Sequence, residues 1–244
     1  MEKKAWFEEW FDTPYYHILY KNRDDDEARR FIGNLVNDLR LPAHAEVLDL
    51  ACGKGRHSVT LSQFGFRVTG ADLSPNSIGQ AKACSPEGIE FIVHDMREVI
   101  TGKKFDAVFN LFTSFGYFDG MADNKKMLRS VHSMLREKGI LVIDFMNSTR
   151  IIRDLVASEI KQIDGITFRI SRKYDGSHIF KRIQFEADGR SHDHTERVQG
   201  LKLSDFISLL EESGFSILRT FGDFDLHPFN ESDSDRLIIV AQRI

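Results

Sequence analysis

Residues 47–57, with the sequence VLDLACGKGRH, have the residue types and spacing of a ligand-binding turn. An apolar run leads into Ala51, Gly53 and Gly55, and a helix-like apolar pattern follows from Arg56 onward. Small residues at such a turn let the backbone approach a ligand closely, and the first N–H groups of the next helix are unpaired donors. The segment therefore predicts a strand, a ligand-binding turn and a helix, in that order.

Three carboxylates lie at or near the ends of successive strand-like runs. Asp49 is in the first run, Asp72 ends the second, RVTGAD, and Asp95 follows the third, EFIVH. Each alone could be a helix cap or a loop residue. Three together favour a shared ligand, because ligands of parallel α/β sheets bind at the carboxyl ends of the strands. We expect Asp72 to accept hydrogen bonds from ribose hydroxyls and Asp95 from an adenine amino group, with the backbone N–H of Met96 beside it.

The charge of Asp49 helps to identify the ligand. A dinucleotide brings a diphosphate to such a turn, whereas S-adenosylmethionine brings an ammonium, a sulfonium and a carboxylate. A carboxylate at the strand end repels the first and attracts the second. Ser58 also stands where a dinucleotide fingerprint has its third glycine. Both residues favour S-adenosylmethionine, and an NAD(P)-dependent oxidoreductase on a similar sheet is the alternative.

The elements that must position these residues alternate between strand and helix. The runs VFNL and ILVIDF are apolar on both faces, as in parallel strands buried between two helix layers. This order predicts an α/β fold with a doubly wound, mostly parallel sheet. Helix-like patterns cover 24–39, 56–64, 75–83, 122–136 and 204–213, and strand-like patterns cover 46–51, 67–71, 90–94, 107–111, 140–145, 216–221 and 237–242.

Residues 165–200 break the alternation of strands and helices. Here β-branched and aromatic residues alternate with charges, and DGS at 175–177 and DGR at 188–190 mark two hairpin turns. We expect an antiparallel insertion of two or three strands. His192, His194 and Glu196 fall on one face of its last strand, and that face is expected to look at the substrate. These three side chains could bind a metal, but the expectation is a substrate contact by His194 or Glu196 and no metal.

The motifs VLDLACGKGRH, GADLS, HDMRE, FDAVFNLFTSFGYF and KGILVIDFMN, in this order, resemble the class I S-adenosylmethionine-dependent methyltransferases. The resemblance implies a Rossmann-like sheet of seven strands whose last strand is antiparallel. It implies S-adenosyl-L-methionine as cofactor and S-adenosyl-L-homocysteine as product. Motifs and resemblance together give the expected cofactor-binding set: Tyr20, Asp49, Ala51, Gly53, Gly55, Asp72, Leu73, Asp95, Met96, Asn110 and Phe112.

An aromatic arm at residues 5–20, AWFEEWFDTPYYHILY, narrows the resemblance. An arm and a β insertion that close over the active site look like the small-molecule branch that includes amino-sugar and glycine N-methyltransferases. The arm is therefore expected to be a cover that cofactor orders, with Tyr15, Tyr16 and Tyr20 facing the site. The chain then divides into the arm at 1–30, a cofactor-binding core at 31–147, a lid-like insertion at 148–202 and a closing helix and hairpin at 203–244, all of one domain.

The expected reaction is methyl transfer to nitrogen or oxygen of a small-molecule acceptor by in-line displacement. A sulfonium methyl is already electrophilic, so the protein mainly aligns the nucleophile and excludes water. A base helps only if the acceptor arrives protonated, and the candidates for a catalytic role are Tyr16, Tyr117 and His194.

The composition of the chain limits the classes of partner that it is expected to bind. The 244 residues carry a net charge of -4, so no basic surface for phosphates is indicated. A methyltransferase acting on RNA or protein is a less favoured alternative, and so is a non-catalytic binding protein that keeps the cofactor pocket. The amino terminus does not have the pattern of a secretory signal, and the apolar runs are too short to cross a membrane. We expect a cytoplasmic monomer or homodimer without nucleic-acid or membrane partners.

Overall fold

The computed structural model describes residues 6–21 and 25–244, so Ala5 and Asp24, the first residues of the expected arm and first long helix, lie outside it. The strands are β1 Glu46–Leu50, β2 Arg67–Asp72, β3 Glu90–Val93, β4 Phe105–Asn110, β5 Leu135–Met146, β6 Ser158–Ile163, β7 Ile166–Tyr174, β8 His178–Ala187, β9 Arg190–Gln199, β10 Phe215–Phe221 and β11 Arg236–Arg243. The helices are α1 Trp6–Trp10, α2 Pro14–Leu19, α3 Asp25–Leu39, α4 Arg56–Gln63, α5 Pro75–Cys84, α6 Met121–Met134, α7 Ser148–Arg153 and α8 Leu203–Glu211.

Seven strands form the main sheet in the order β3-β2-β1-β4-β5-β11-β10. Neighbours from β3 to β5 are parallel, and β11 runs antiparallel to both β5 and β10. The expected Rossmann-like fold is confirmed, including the antiparallel strand that closes it. The chain reverses its direction of progress between β1 and β4, so the carboxyl ends of these two neighbouring strands form a crevice.

The insertion is a separate four-stranded antiparallel sheet, β6-β7-β8-β9, which we call the lid sheet. It has one strand more than the upper limit expected from the sequence, because Asp164 and Gly165 already make a turn with φ of 49° and 78°. Two successive positive φ values are typical of a two-residue hairpin turn. The expected turn at Asp188 and Gly189 has the same geometry, with φ of 52° and 70°. Helix α7, which precedes the lid sheet, was not expected.

Both faces of the main sheet are buried in apolar cores. Val47 and Leu48 are adjacent in β1 and fully buried, yet they belong to opposite cores. Helices α3 and α4 cover the Val47 side, and α6 and α8 cover the Leu48 side. This explains why the strand runs are apolar without alternation.

A third core joins the arm to the lid sheet. Trp10 and Leu19 from the arm are buried together with Phe168, Ile183 and Phe185 from the lid sheet. The apolar face of the lid sheet is therefore covered by α1 and α2, which places these two short helices between the lid sheet and the main sheet's site.

Within residues 6–21 and 25–244, none of the helices combines the length and the apolar character needed to cross a bilayer.

Candidate active site

A cavity of about 370 Å³ opens at the carboxyl ends of β1, β2 and β4. The arm, the turn after β1 and the loops after β2, β3 and β4 form its walls. The structure brings ten of the expected site residues together here: Tyr16, Tyr20, Ala51, Gly53, Asp72, Leu73, Asp95, Met96, Phe112 and Tyr117.

The turn after β1 is shaped by positive φ angles, which are 64° at Ala51, 56° at Gly53 and 84° at Gly55. A Cβ on Gly53 would have no described heavy atom within 4 Å, so this position faces open space at the cavity. A Cβ on Gly55 would lie 2.7 Å from the ring of Phe91. The two glycines therefore have different roles: Gly53 leaves room for a ligand, and Gly55 lets the turn pack on Phe91.

Asp72 is fixed at the cavity wall by two backbone donors. Its Oδ2 accepts from the N–H of Gly53 at 2.8 Å, and its Oδ1 accepts from the N–H of Ser74 at 2.9 Å. Burial raises the pKa of the carboxyl, while these two hydrogen bonds oppose the rise. A carboxylate oxygen has two lone pairs, so each oxygen of Asp72 keeps one for a ligand hydroxyl.

Asp95 is paired with a residue that the sequence analysis did not select. Arg97 approaches it with Nη2 at 2.6 Å and Nε at 3.0 Å and also donates its backbone N–H at 2.9 Å. Burial raises the pKa of Asp95, but the Arg97 hydrogen bonds outweigh this and hold it below its usual value. The guanidinium of Arg97 lies 5.0 Å from the centre of the Phe118 ring. In the sequence, the only indication of this pair is that Asp95 and Arg97, which have opposite charges, are two positions apart.

Five aromatic rings form a continuous wall of the cavity, which we call the aromatic wall. The arm contributes four rings, and Tyr117 contributes the fifth. Phe7 lies in α1 and Phe11 follows its last residue, while Tyr16 lies in α2 and Tyr20 is its C-cap. Ring centres are 4.8 Å apart between Phe11 and Tyr16, 4.8 Å between Tyr16 and Tyr20, and 5.4 Å between Phe11 and Tyr117.

Basic side chains line the cavity beside this wall, and they were largely missed from the sequence. Lys54 and Arg56 come from the turn and the start of α4, and His17 comes from the arm. Burial and nearby Lys54 lower the pKa of His17 to about 4, so its imidazole is uncharged at neutral pH. Burial and Arg56 lower the pKa of His57 to about 3. Arg56 lies 5.3 Å from the centre of the Phe112 ring.

Asp49 and Gly55 lie beneath the cavity wall rather than in it. The Asp49 carboxylate is 1 % exposed and accepts a 2.6 Å hydrogen bond from the Ser58 hydroxyl. Burial is the main cause that raises its pKa to about 6. Asp49, which was expected to bind the cofactor, is therefore outside the cavity lining, and the N–H groups of Ala51 and Cys52 in the turn donate to the Ala71 carbonyl.

Asn110 and His194 are also outside the cavity lining. Asn110 is fully buried and donates from Nδ2 to the Leu50 carbonyl at 3.0 Å, while its Oδ1 has no hydrogen-bond partner among the described residues. The His194 ring stacks on Trp10 with centres 4.4 Å apart. Burial lowers its pKa, as does neighbouring His192. His194, which was expected to contact the substrate, therefore lies outside the cavity lining, with Trp10 of the arm packed on its ring.

The His192, His194 and Glu196 face packs on the arm. The ring of Tyr15, which was expected to face the site, lies 4.7 Å from the His192 ring and outside the cavity lining. Glu196 accepts a 2.7 Å hydrogen bond from Trp10 Nε1. In the described part of the chain, no three His, Cys, Asp or Glu side chains converge as the ligands of a metal do.

Comparison with known proteins decides the family. Residues 47–139 match the family model of a methyltransferase domain. A putative methyltransferase, YqeM of Bacillus subtilis (strain 168), is 33% identical over 215 residues, which cover 83% of this chain and 86% of the relative. The chain belongs to the class I S-adenosylmethionine-dependent methyltransferases.

This methyltransferase has a further similarity in sequence and one in fold. A glycine/sarcosine N-methyltransferase of Aphanothece halophytica is 29% identical over 254 residues, covering 98% of this chain and 89% of the relative. A solved S-adenosylmethionine-dependent methyltransferase from Clostridium acetobutylicum ATCC 824 has the same fold, with a TM-score of 0.80, 18% identity, and coverage of 94% of this chain and 96% of that chain. Membership of this family excludes the alternative of an NAD(P)-dependent oxidoreductase.

The cavity of the methyltransferase fits S-adenosylmethionine. Gly53 leaves the open space that a ligand close to the turn requires, and Asp72 presents a fixed acceptor for hydroxyls. Asp95 presents a second acceptor at the next strand end. The buried carboxylate of Asp49 under the turn complements a cationic ligand.

Proposed function

We propose that the methyltransferase transfers a methyl group to the nitrogen of a small amine. This proposal rests on the aromatic wall, whose five rings line one side of the cavity. Aromatic faces attract ammonium and methylammonium groups, whereas they offer nothing specific to a neutral alcohol. Phenol hydroxyls of Tyr16 and Tyr117 can hydrogen-bond the acceptor.

The relatives support a small amine acceptor. One of them is named a glycine/sarcosine N-methyltransferase and spans almost the whole chain. The net charge of -4 gives no support to an RNA substrate held by its phosphates. The cytoplasmic location, the monomeric or dimeric state and the division of the chain into segments of one domain stay predictions from the sequence.

In the proposed reaction the chain binds the cofactor and the acceptor, orients them and excludes water. S-adenosylmethionine, when bound, supplies an electrophilic methyl group and leaves as S-adenosylhomocysteine. Asp72, Asp95 and the turn at Gly53 would hold it, and the arm would shield the acceptor from water. A protonated amine must lose a proton before it attacks. Tyr16, Tyr117 and the uncharged imidazole of His17 are cavity groups able to hydrogen-bond the amine and relay that proton to solvent water.

Methyl transfer from labelled S-adenosylmethionine to a panel of small amines and their matched alcohols tests this function. Methylation of one or more amines but of no matched alcohol is expected. Tyr16→Leu should raise the KM for that amine about tenfold, the size of a desolvated cation–ring contact, and Tyr16→Phe should raise it far less. Methylation of the alcohols, or of RNA or protein only, would overturn the proposal.

A further inference from the structure

A carboxylate of the lid sheet binds both ends of the arm segment that lines the cavity. Glu196 of β9 accepts from the indole Nε1 of Trp10 at 2.7 Å and from the hydroxyl of Tyr20, which lies 2.8 Å from each carboxylate oxygen. The Glu196 side chain is only 13% exposed. These hydrogen bonds are charge-assisted and partly buried, which makes them stronger than neutral surface bonds.

Lys181 completes this cluster from the neighbouring strand. It is the direct cross-strand partner of Glu196 in the β8–β9 register. Its Nζ donates to the Tyr20 hydroxyl at 2.5 Å, lies 3.7 Å from Glu196 Oε2 and sits 4.5 Å from the centre of the Tyr20 ring. The Lys181 charge offsets the cost of burying the carboxylate.

The arm depends on such anchors because its helices are short. Helices α1 and α2 have 5 and 6 residues, far fewer than an isolated helix needs to be stable in water. Trp10 ends α1, and Tyr20 follows α2 as its C-cap. Phe11 and Tyr16, which belong to the aromatic wall, lie between these two anchors. One carboxylate therefore fixes the segment of the arm that carries the wall.

Tyr20 was also expected to contact the cofactor, but the other residues of this cluster lie apart from the cofactor-binding side chains. Asp72 and Asp95 are held by Gly53, Ser74 and Arg97 of the main-sheet loops. The described contacts of Glu196 are instead with the arm and with Lys181. Loss of Glu196 is thus expected to disturb the aromatic wall more than the side chains that hold the cofactor.

We propose that Glu196 is a positioning residue, which sets the affinity for the methyl acceptor by docking the aromatic wall over the cavity through Trp10 and Tyr20. The predicted change in acceptor affinity rests on the proposed amine methylation. The docking of the arm does not depend on that function, and it is measured separately by hydrogen exchange.

The test compares Glu196→Ala and Glu196→Gln with a matched control, Asp193→Ala. Asp193 is an acidic residue of the same strand, but it pairs with Arg182 and Gln184 on the opposite, exposed face. In Glu196→Ala, hydrogen exchange in residues 6–21 should speed up at least tenfold while exchange in the main sheet stays unchanged. The KM for the amine should rise about tenfold, with kcat within about threefold of wild type.

Glu196→Gln keeps an oxygen that accepts from Trp10 or Tyr20 and should fall between wild type and Glu196→Ala in both readouts. Asp193→Ala should match wild type. Unchanged arm exchange in Glu196→Ala overturns the proposal whatever the activity, and so does faster arm exchange with an unchanged KM. If Glu196→Ala does not fold, Trp10→Phe and Tyr20→Phe, which keep their rings, must show the same two effects or the proposal fails. Wild type that methylates no amine refutes the proposed function, while the exchange comparison still decides the docking role.

Discussion

The guanidinium of Arg236, at the start of β11, lies 2.7 Å from the carboxylate of Asp144 in β5, which is 1% exposed. The same carboxylate accepts from the backbone N–H of Phe112 at 2.9 Å, and Arg236 donates to the Thr113 hydroxyl at 2.9 Å. Phe112 and Thr113 have φ of 67° and 57°, which is unfavourable for residues other than glycine. This ion pair therefore holds a strained turn at the cavity wall.

Arg236→Met should destabilise the protein by about 3–5 kcal/mol, because it leaves the Asp144 carboxylate buried without its cation. Adding Asp144→Asn should restore much of this loss, since the amide oxygen can still accept from Phe112. Urea denaturation measures both. Arg67→Met is the control: its pair with Glu46 is exposed, so the change should be below about 1 kcal/mol. Equal effects of Arg236→Met and Arg67→Met would contradict this role.

Gly53→Val should lower S-adenosylhomocysteine affinity at least tenfold, because a side chain there enters the space that the ligand needs. Gly65→Val is the matched control. Gly65 also has a positive φ, 88°, and a Cβ there would have no described heavy atom within 4 Å, but Gly65 lies outside the cavity lining. Both variants should lose at least about 1–2 kcal/mol of stability from backbone strain. Calorimetry showing that both bind normally would remove the turn from the cofactor site.

Asp72→Ala should weaken S-adenosylhomocysteine binding by about 1–3 kcal/mol, the cost of losing a partner of buried hydroxyls. Asp106→Ala tests whether any carboxylate bonded to the backbone has this effect. Asp106 accepts from the Glu46 N–H at 2.8 Å, but at the amino end of β4, away from the cavity. Titration calorimetry should show an affinity loss for Asp72→Ala alone. A similar loss of affinity in both variants would show that it comes from a disturbed sheet and not from a lost hydrogen bond to ribose.

Asp49→Asn should make the protein more stable above pH 6. Burial raises the pKa of Asp49 to about 6 in the folded protein, so the folded state binds a proton more tightly than the unfolded state does. Stability of the wild type is therefore lost as the pH rises from about 4 to 6. The advantage of the variant should grow over this range to about 1–3 kcal/mol and then stay constant.

The same substitution should weaken S-adenosylhomocysteine binding at pH 7.5, because the ligand ammonium loses a buried negative charge nearby. Urea denaturation at pH 4.5, 6.0 and 7.5 and calorimetry at pH 7.5 measure the two effects. A stability difference that does not change with pH would show that Asp49 stays ionised over this range, and unchanged affinity would show that its charge does not act on the ligand.

The sequence by itself determined the main sheet and its cofactor edge. Runs apolar on both faces, the small residues at Ala51 and Gly53, and carboxylates at the strand ends at Asp72 and Asp95 are signals that are each contained in a few consecutive residues. Turn chemistry and strand periodicity are set by local sterics and hydrogen bonding, so these patterns could be interpreted without knowing what packs against them.

Only the tertiary structure decided what the arm and the lid sheet do. Trp10 and Phe11 are neighbours of similar character, yet Trp10 is buried against the lid sheet and Phe11 lines the cavity. Glu196 meets Trp10 across 186 positions of sequence, and the face expected to look at the substrate packs on the arm instead. Short helices take their place from long-range contacts rather than from their own propensity, and no local pattern records which surface they will cover.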